Sequence, residues 1–302
     1  MTVWIRILVH NVLPAFAVMA VGVLADRLLH VDKRSLSRLA IYILTPCLIF
    51  TNIVQSSVAA EQFGRMIAFV LVLTGILCAL ALGVGGVLRW PRRQVDALVL
   101  SVAFVNAGNF GLSVILFSFG QAGLELGTVF FVASNFVINT LGVFFALRSN
   151  GGAWRGLLGV FKLPGLYAFA LALLLRSLRI SLPEPLMRPL TLLSQATVPI
   201  MLLLLGMQLS QTQLSRRYGQ VAIGALLRLI AGAGVALGLA PLCGLQGLAR
   251  QVAIVEAATP TAVSSALMAI EFDADADYVT SVILISTLLS SLTLTALLYW
   301  LG

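Results

Sequence analysis

The chain has 302 residues, of which 60% are hydrophobic and 10% charged, and its mean hydropathy is +1.05. That balance excludes a soluble globular domain and points to an integral membrane protein. The formal charge of +8 does not signal nucleic-acid binding, because the cations flank apolar segments and form no basic domain.

Charged residues delimit apolar stretches long enough for the ~20 residues that cross a bilayer as helix. The pattern predicts ten crossings, near 5–26, 36–58, 66–88, 97–119 and 124–147, then 160–180, 187–209, 219–242, 250–270 and 278–300. No basic leader or cleavage site precedes the first, which reads as a retained helix. The second carries Pro46 and the seventh Pro199, both expected to kink their helices. Only 163–175 is free of charge in the sixth, so Lys162, Arg176 and Arg179 must snorkel from its ends.

Three prolines of the first half recur in the second: Pro14 with Pro164, Pro46 with Pro199 and Pro91 with Pro241, at offsets of 150, 153 and 150 residues. The expected architecture is therefore an all-α membrane domain of ten helices in two five-helix repeats, 1–150 and 151–302. An odd number of crossings returns the chain on the opposite side, so the second repeat is inverted. Lys and Arg set the orientation. Arg27, Lys33, Arg34, Arg38, Arg89, Arg92, Arg93, Arg148, Arg155 and Lys162 all follow crossings one, three and five, whereas the other side of the first half has only Arg6 and Arg65. This places both termini on the non-cytoplasmic side of the plasma (inner) membrane. The second half is divided, with Arg216 and Arg217 inward and Arg176, Arg179, Arg188 and Arg250 outward.

Cys47, Cys78 and Cys243 form no paired motif and imply neither disulfides nor zinc. His10 and His30 are the only histidines, and no hydrolase or phosphate-binding motif occurs, so the chain is not expected to be an enzyme. Glu271, Asp273, Asp275 and Asp277 resemble the opening of a calcium loop, but Tyr278 and Leu284 stand where its glycine and bidentate glutamate belong. A solvated loop with Asp277 capping the last helix is expected instead.

Two segments interrupt the apolar pattern at corresponding places. Asn106, Gly108, Asn109 and Gly111 lie in the fourth crossing, and Thr259, Pro260 and Thr261 about 151 residues later in the ninth. Paired interruptions of this kind mark the binding site of a secondary transporter, where half-helix N-termini point positive charge at an anion. Glycines for close packing and asparagines as interhelical glue are the plainer reading of either segment alone.

Glu256 lies four residues before Pro260, about 9 Å deep if its helix starts near Arg250. A carboxyl group taken out of water favours its neutral form, so Glu256 is a candidate proton carrier; with hydroxyls and freed carbonyls it is equally a candidate sodium ligand. Arg228 is roughly 18 Å along its helix from Arg216 and needs a partner, whether a substrate carboxylate, Glu256 or carbonyls at a helix break. Asn135 and Asn139 share one face of the fifth crossing, and Asn11 and Asn52 add further amides.

At these residues the chain resembles the auxin efflux carrier family of permeases, nearly end to end. The resemblance rests on Leu44-Thr45-Pro46, Asn106 to Leu112, Thr259 to Ala262 and Ser286 to Ser290. It implies a five-plus-five inverted repeat with broken, crossed helices four and nine, and transport of organic carboxylates such as malonate-like or auxin-like acids. It also implies that crossings one, two, six and seven form a moving or dimer-forming panel. Ser113 stands where many members have proline, and the loop at 148–162 is far shorter than in plant exporters.

The expectation is a carrier of small organic anions working by alternating access in the lipid bilayer. Asn106, Gly108, Asn109, Gly111, Thr259, Pro260, Thr261, Asn135 and Asn139 would bind substrate, with Glu256 coupling to H+ or Na+ and Arg228 as a charge partner. No other cofactor is expected, and a homodimer is a further possibility. A passive anion channel or a transporter-like membrane sensor are the alternatives.

Overall fold

The computed structural model describes residues 3–148, 164–212, 214–271 and 273–302. The loop expected at 148–162 lies, beyond Arg148, outside the described residues. All regular elements among them are helical: α1 Val3–Leu29, α2 Lys33–Val54, α3 Ala60–Val87, α4 Arg92–Ala103, α5 Leu112–Arg148, α6 Pro164–Ser177, α7 Glu184–Leu209, α8 Tyr218–Leu242, α9 Gly247–Ala257, α10 Ser264–Glu271 and α11 Ala276–Leu301. A π turn, Ala107–Gly111, leads into α5, which bends at Gly120 where φ is +64°. Seven described segments are long and apolar enough to cross a membrane.

These helices are apolar on all sides, as a lipid-facing bundle requires. In α3, Phe69, Leu73 and Leu77 recur every four residues on the buried face, while Leu71, Val72 and Ile76 on the others are exposed. The π turns Leu8–Val12 in α1 and Ala40–Leu44 in α2 each end two residues before a proline, Pro14 and Pro46. Proline cannot donate its backbone hydrogen bond and its ring crowds the preceding turn; a wider turn just upstream absorbs both. Around Pro199, by contrast, α7 is helical from Glu184 to Leu209.

Packing divides the helices into two groups. One comprises α1, α2, α6 and α7: α1 lies along α7, and α2 contacts both α6 and α7. The α1–α7 seam is close because it needs glycine on both sides. A Cβ on Gly22 would strike the Leu203 carbonyl, and one on Gly206 the Met19 carbonyl. Hydroxyls stitch α2 to α7, with Thr197 donating to the Leu44 carbonyl at 3.0 Å and Thr51 to Ser194 at 2.9 Å. The other group packs α3 on α4 and α5, α8 on α9 and α11, and α4 on α11.

The acidic loop before α11 has ionic partners. Asp273 pairs with Arg93 at 2.8 Å and Asp275 with Arg217. The helix cap is Asp275, whose carboxylate accepts from the Tyr278 N–H at 3.2 Å; the expected cap, Asp277, is the second residue of the helix. The chain enters α11 two residues earlier than the capping pattern suggested, so Asp277 points its charge into the first turn instead.

Candidate functional site

Helix α4 stops at Ala103 because Phe104 turns extended, with φ −105° and ψ 121°. Helix α9 stops at Ala257, and α10 resumes at Ser264. The two non-helical segments satisfy each other. Asn106 N–H donates to the Pro260 carbonyl at 2.8 Å and Ala262 N–H to the Phe104 carbonyl at 2.9 Å, an antiparallel bridge between Val105 and Thr261. Backbone opened inside a membrane protein must find such partners, since lipid offers none.

The helix ends left open at this bridge are closed by side chains. Arg228, fully buried in a π turn of α8, donates to the Val102 carbonyl at 2.5 Å and to the Ala257 carbonyl. One guanidinium thus serves the C-terminal ends of α4 and α9, where the helix dipoles are negative. Of the partners open to Arg228 from the sequence, the carbonyls at the breaks are those it meets. Thr261 donates to the Ser101 carbonyl at 2.6 Å, Ser265 to the Leu100 carbonyl at 2.8 Å and Thr259 to the Glu256 carbonyl at 2.7 Å.

A cavity of about 600 Å³ runs from the bridge to the turn between α1 and α2. That size suits a small organic molecule. Asn106, Gly108, Asn109, Asn135 and Asn139 all line it, as do Ala107 and Ser264, which open the half-helices beyond the two interruptions. Those N-terminal ends present partial positive charge to the cavity. The Nδ2 of Asn106 is buried and has no hydrogen-bond partner. Asn135 and Asn139 donate to carbonyls of their own helix at 3.1 and 2.7 Å.

The remaining candidates lie elsewhere. Thr259, Pro260 and Thr261 are buried behind the cavity wall, and Gly111, Glu256 and Arg228 are not part of the lining. Pro46 and Pro199 are also absent from it, although their neighbours Thr45 and Met201 are present. Glu256 is fully buried, and neither carboxyl oxygen has a hydrogen-bond partner. Its carboxyl group fits against Gly111, where a Cβ would collide with it, and against Gly127, where a Cβ would lie 3.3 Å away. Gly127 precedes Phe131, the first residue of α5 in the lining, by four residues, roughly 6 Å of helix, so Glu256 lies about one turn from the cavity along α5.

Among the described residues one member of the lining is charged, Lys33, which the charge pattern of the sequence assigned only to a loop. Its side chain is partly exposed, with the ammonium 2.9 Å from Asp26. The signal for this pair was faint, because both residues sit in the charge-rich turn that ends the first crossing.

The sequence matches the family described as Membrane transport protein over residues 7–154 and 156–298. It is 28% identical to an uncharacterized transporter of Methanothermobacter thermautotrophicus over 289 residues, 94% of this chain and 92% of that protein. It is 27% identical to an uncharacterized transporter of Methanocaldococcus jannaschii over 267 residues, 85% of this chain and 86% of that one.

Proposed function

Because the chain belongs to the membrane transport protein family, that of the auxin efflux carriers, we propose that it is a secondary carrier of small organic anions, carboxylates of the malonate-like or auxin-like kind. In this reading the membrane domain is a five-plus-five inverted repeat whose fourth and ninth helices are the interrupted ones, and the lipid bilayer of the plasma membrane surrounds it. The group of α1, α2, α6 and α7 is one body of an alternating-access cycle and the remaining helices the other. With both termini on the non-cytoplasmic side, the end of the cavity that Lys33 lines is the cytoplasmic one. The first body would also supply a homodimer contact.

The observation that carries the proposal is the chemistry of the cavity wall. Two half-helix N-termini and the unpartnered Asn106 amide border a space with no carboxylate in its described lining. Such a wall stabilises a negative charge and would repel none. Asn106 and Asn109 are assigned to the substrate carboxylate, Gly108 to close approach, and Asn135 and Asn139 to the side wall. Thr259, Pro260 and Thr261 act from behind by fixing the interruption, as does Arg228. Glu256 is the coupling residue: a buried carboxyl group without partners is a place where H+ or Na+ binds at one stage of the cycle and leaves at another.

Thermal stability of the purified protein against malonate, succinate, benzoate and indole-3-acetate, with and without sodium at two pH values, tests the reading. A ligand at ~100 times its Kd adds about 2.7 kcal/mol. No shift with any carboxylate overturns the anion reading. Glu256→Gln tests the coupling: it should retain the ligand-induced shift and lose gradient-driven accumulation in vesicles, and undiminished accumulation would remove Glu256 from that role.

A further inference from the structure

Lys33 is the charged residue in a cavity lining that is otherwise neutral among the described residues. It opens α2, and its ammonium has two partners, Asp26 Oδ1 at 2.9 Å and the Met207 carbonyl, which accepts from it at 3.3 Å. Asp26 is better seated. Its carboxylate also accepts a hydrogen bond from the Ser210 hydroxyl, within the seam where α1 lies along α7. The side chains differ accordingly in exposure, 7% for Asp26 and 26% for Lys33. The acid is held by two partners within a seam, while the base is partly exposed on a flexible four-carbon stem and lines the cavity. Gln208, Gln211 and Thr212 add uncharged polar groups to the same lining.

We propose that Lys33 selects anions at this end of the cavity, sharing its ammonium between Asp26 and the carboxylate of an entering solute, and that Asp26 sets the affinity by competing for it. The inference rests on the anion-carrier reading. It adds a charge-selecting residue where the Asn106 amide and the helix ends supply only neutral donors and partial charge. A cation entering by this end meets the ammonium first and is turned away, whereas a solute carboxylate finds a cationic partner whose only anionic neighbour in the described structure is Asp26.

A merely structural ion pair, tying α1 to α2, makes a different prediction. Removing either partner would then lower stability and disturb binding in the same direction. Under the proposal the two variants shift affinity in opposite directions while sharing any loss of stability. The experiment titrates the full chain in detergent with whichever of malonate, succinate, benzoate and indole-3-acetate gives the largest thermal shift on the unmodified protein. Lys33→Met should raise its Kd roughly fivefold and Asp26→Asn should lower it by a similar factor. Lys33→Arg should restore Kd to within about twofold of the starting value, because the charge is kept. The melting temperatures of all three variants are read in parallel. Affinities that do not move, or that weaken in both Lys33→Met and Asp26→Asn, overturn the role of Lys33. Binding of no carboxylate by the unmodified protein overturns the carrier reading itself, and the two failures are thereby separate.

Discussion

The two helix interruptions occupy equivalent places yet are built from different materials. Phe104 to Asn106 are followed by a π turn rich in glycine, and Asn106, Gly108 and Asn109 face the cavity. Ala258 to Val263 contain the proline, and there Thr259 and Thr261 spend their hydroxyls on backbone carbonyls behind the wall. The first interruption thus turns polar side chains to the cavity, while the second shows it only Ala262 and Val263 and is the structural one. A short polar side chain in a membrane helix has two uses, to serve the backbone or to serve a solute, and its hydrogen-bond partner shows which applies.

The largest effect should come from the residue common to both. Arg228→Leu leaves the Val102 and Ala257 carbonyls without their donor, at a cost on the order of 3 kcal/mol even after the gain from removing a desolvated charge. A melting curve in detergent would read this as a marked loss of stability, and an unchanged curve would mean that the guanidinium is dispensable to the interruptions.

Gly111→Ala sharpens the comparison next, by filling the space that the Glu256 carboxyl group occupies. Overpacking of this kind costs about 1–3 kcal/mol. Adding Glu256→Ala should return most of that stability, since the clash is with the carboxyl group; a double variant no more stable than Gly111→Ala alone would place the strain elsewhere. The smallest effects should divide the two segments by type. Thr261→Val, which strips the hydroxyl from the Ser101 carbonyl, should lower stability by about 1–2 kcal/mol and leave carboxylate affinity nearly unchanged. Asn109→Ala should do the reverse, weakening affinity about tenfold with little change in melting. Equal behaviour of the two variants would erase the distinction between cavity-facing and structural segments.

Much of this arrangement could be read from residue types. Gly108 and Gly111 announced a weak point in the fourth crossing and Pro260 one in the ninth, because glycine and proline act locally. The break itself falls a few residues upstream, at Phe104 to Asn106, since its position depends on which carbonyls the other segment can reach. The need of Arg228 for a partner was evident from its depth, but the choice among carboxylate and carbonyl was not, for it turns on the three-dimensional meeting of α4, α8 and α9. Lys33 and Asp26 were hidden for the opposite reason: charges at helix ends are ordinary, and only the cavity beside them gives the pair meaning. The same limit explains Asp275, since a capping residue is defined by where the chain turns and three alternate aspartates offer the turn equal chemistry.

The antiparallel bridge between Val105 and Thr261 consists of two backbone hydrogen bonds, one in each direction. A single bond would be a swivel, leaving each segment free to rotate about the other. Two bonds with opposed polarity form a splice that fixes spacing and angle together. Four half-helices end at that splice, so a push on any arm is felt at the other three. The feature that looks like the weakest point of the bundle is the joint that holds its four arms in one arrangement.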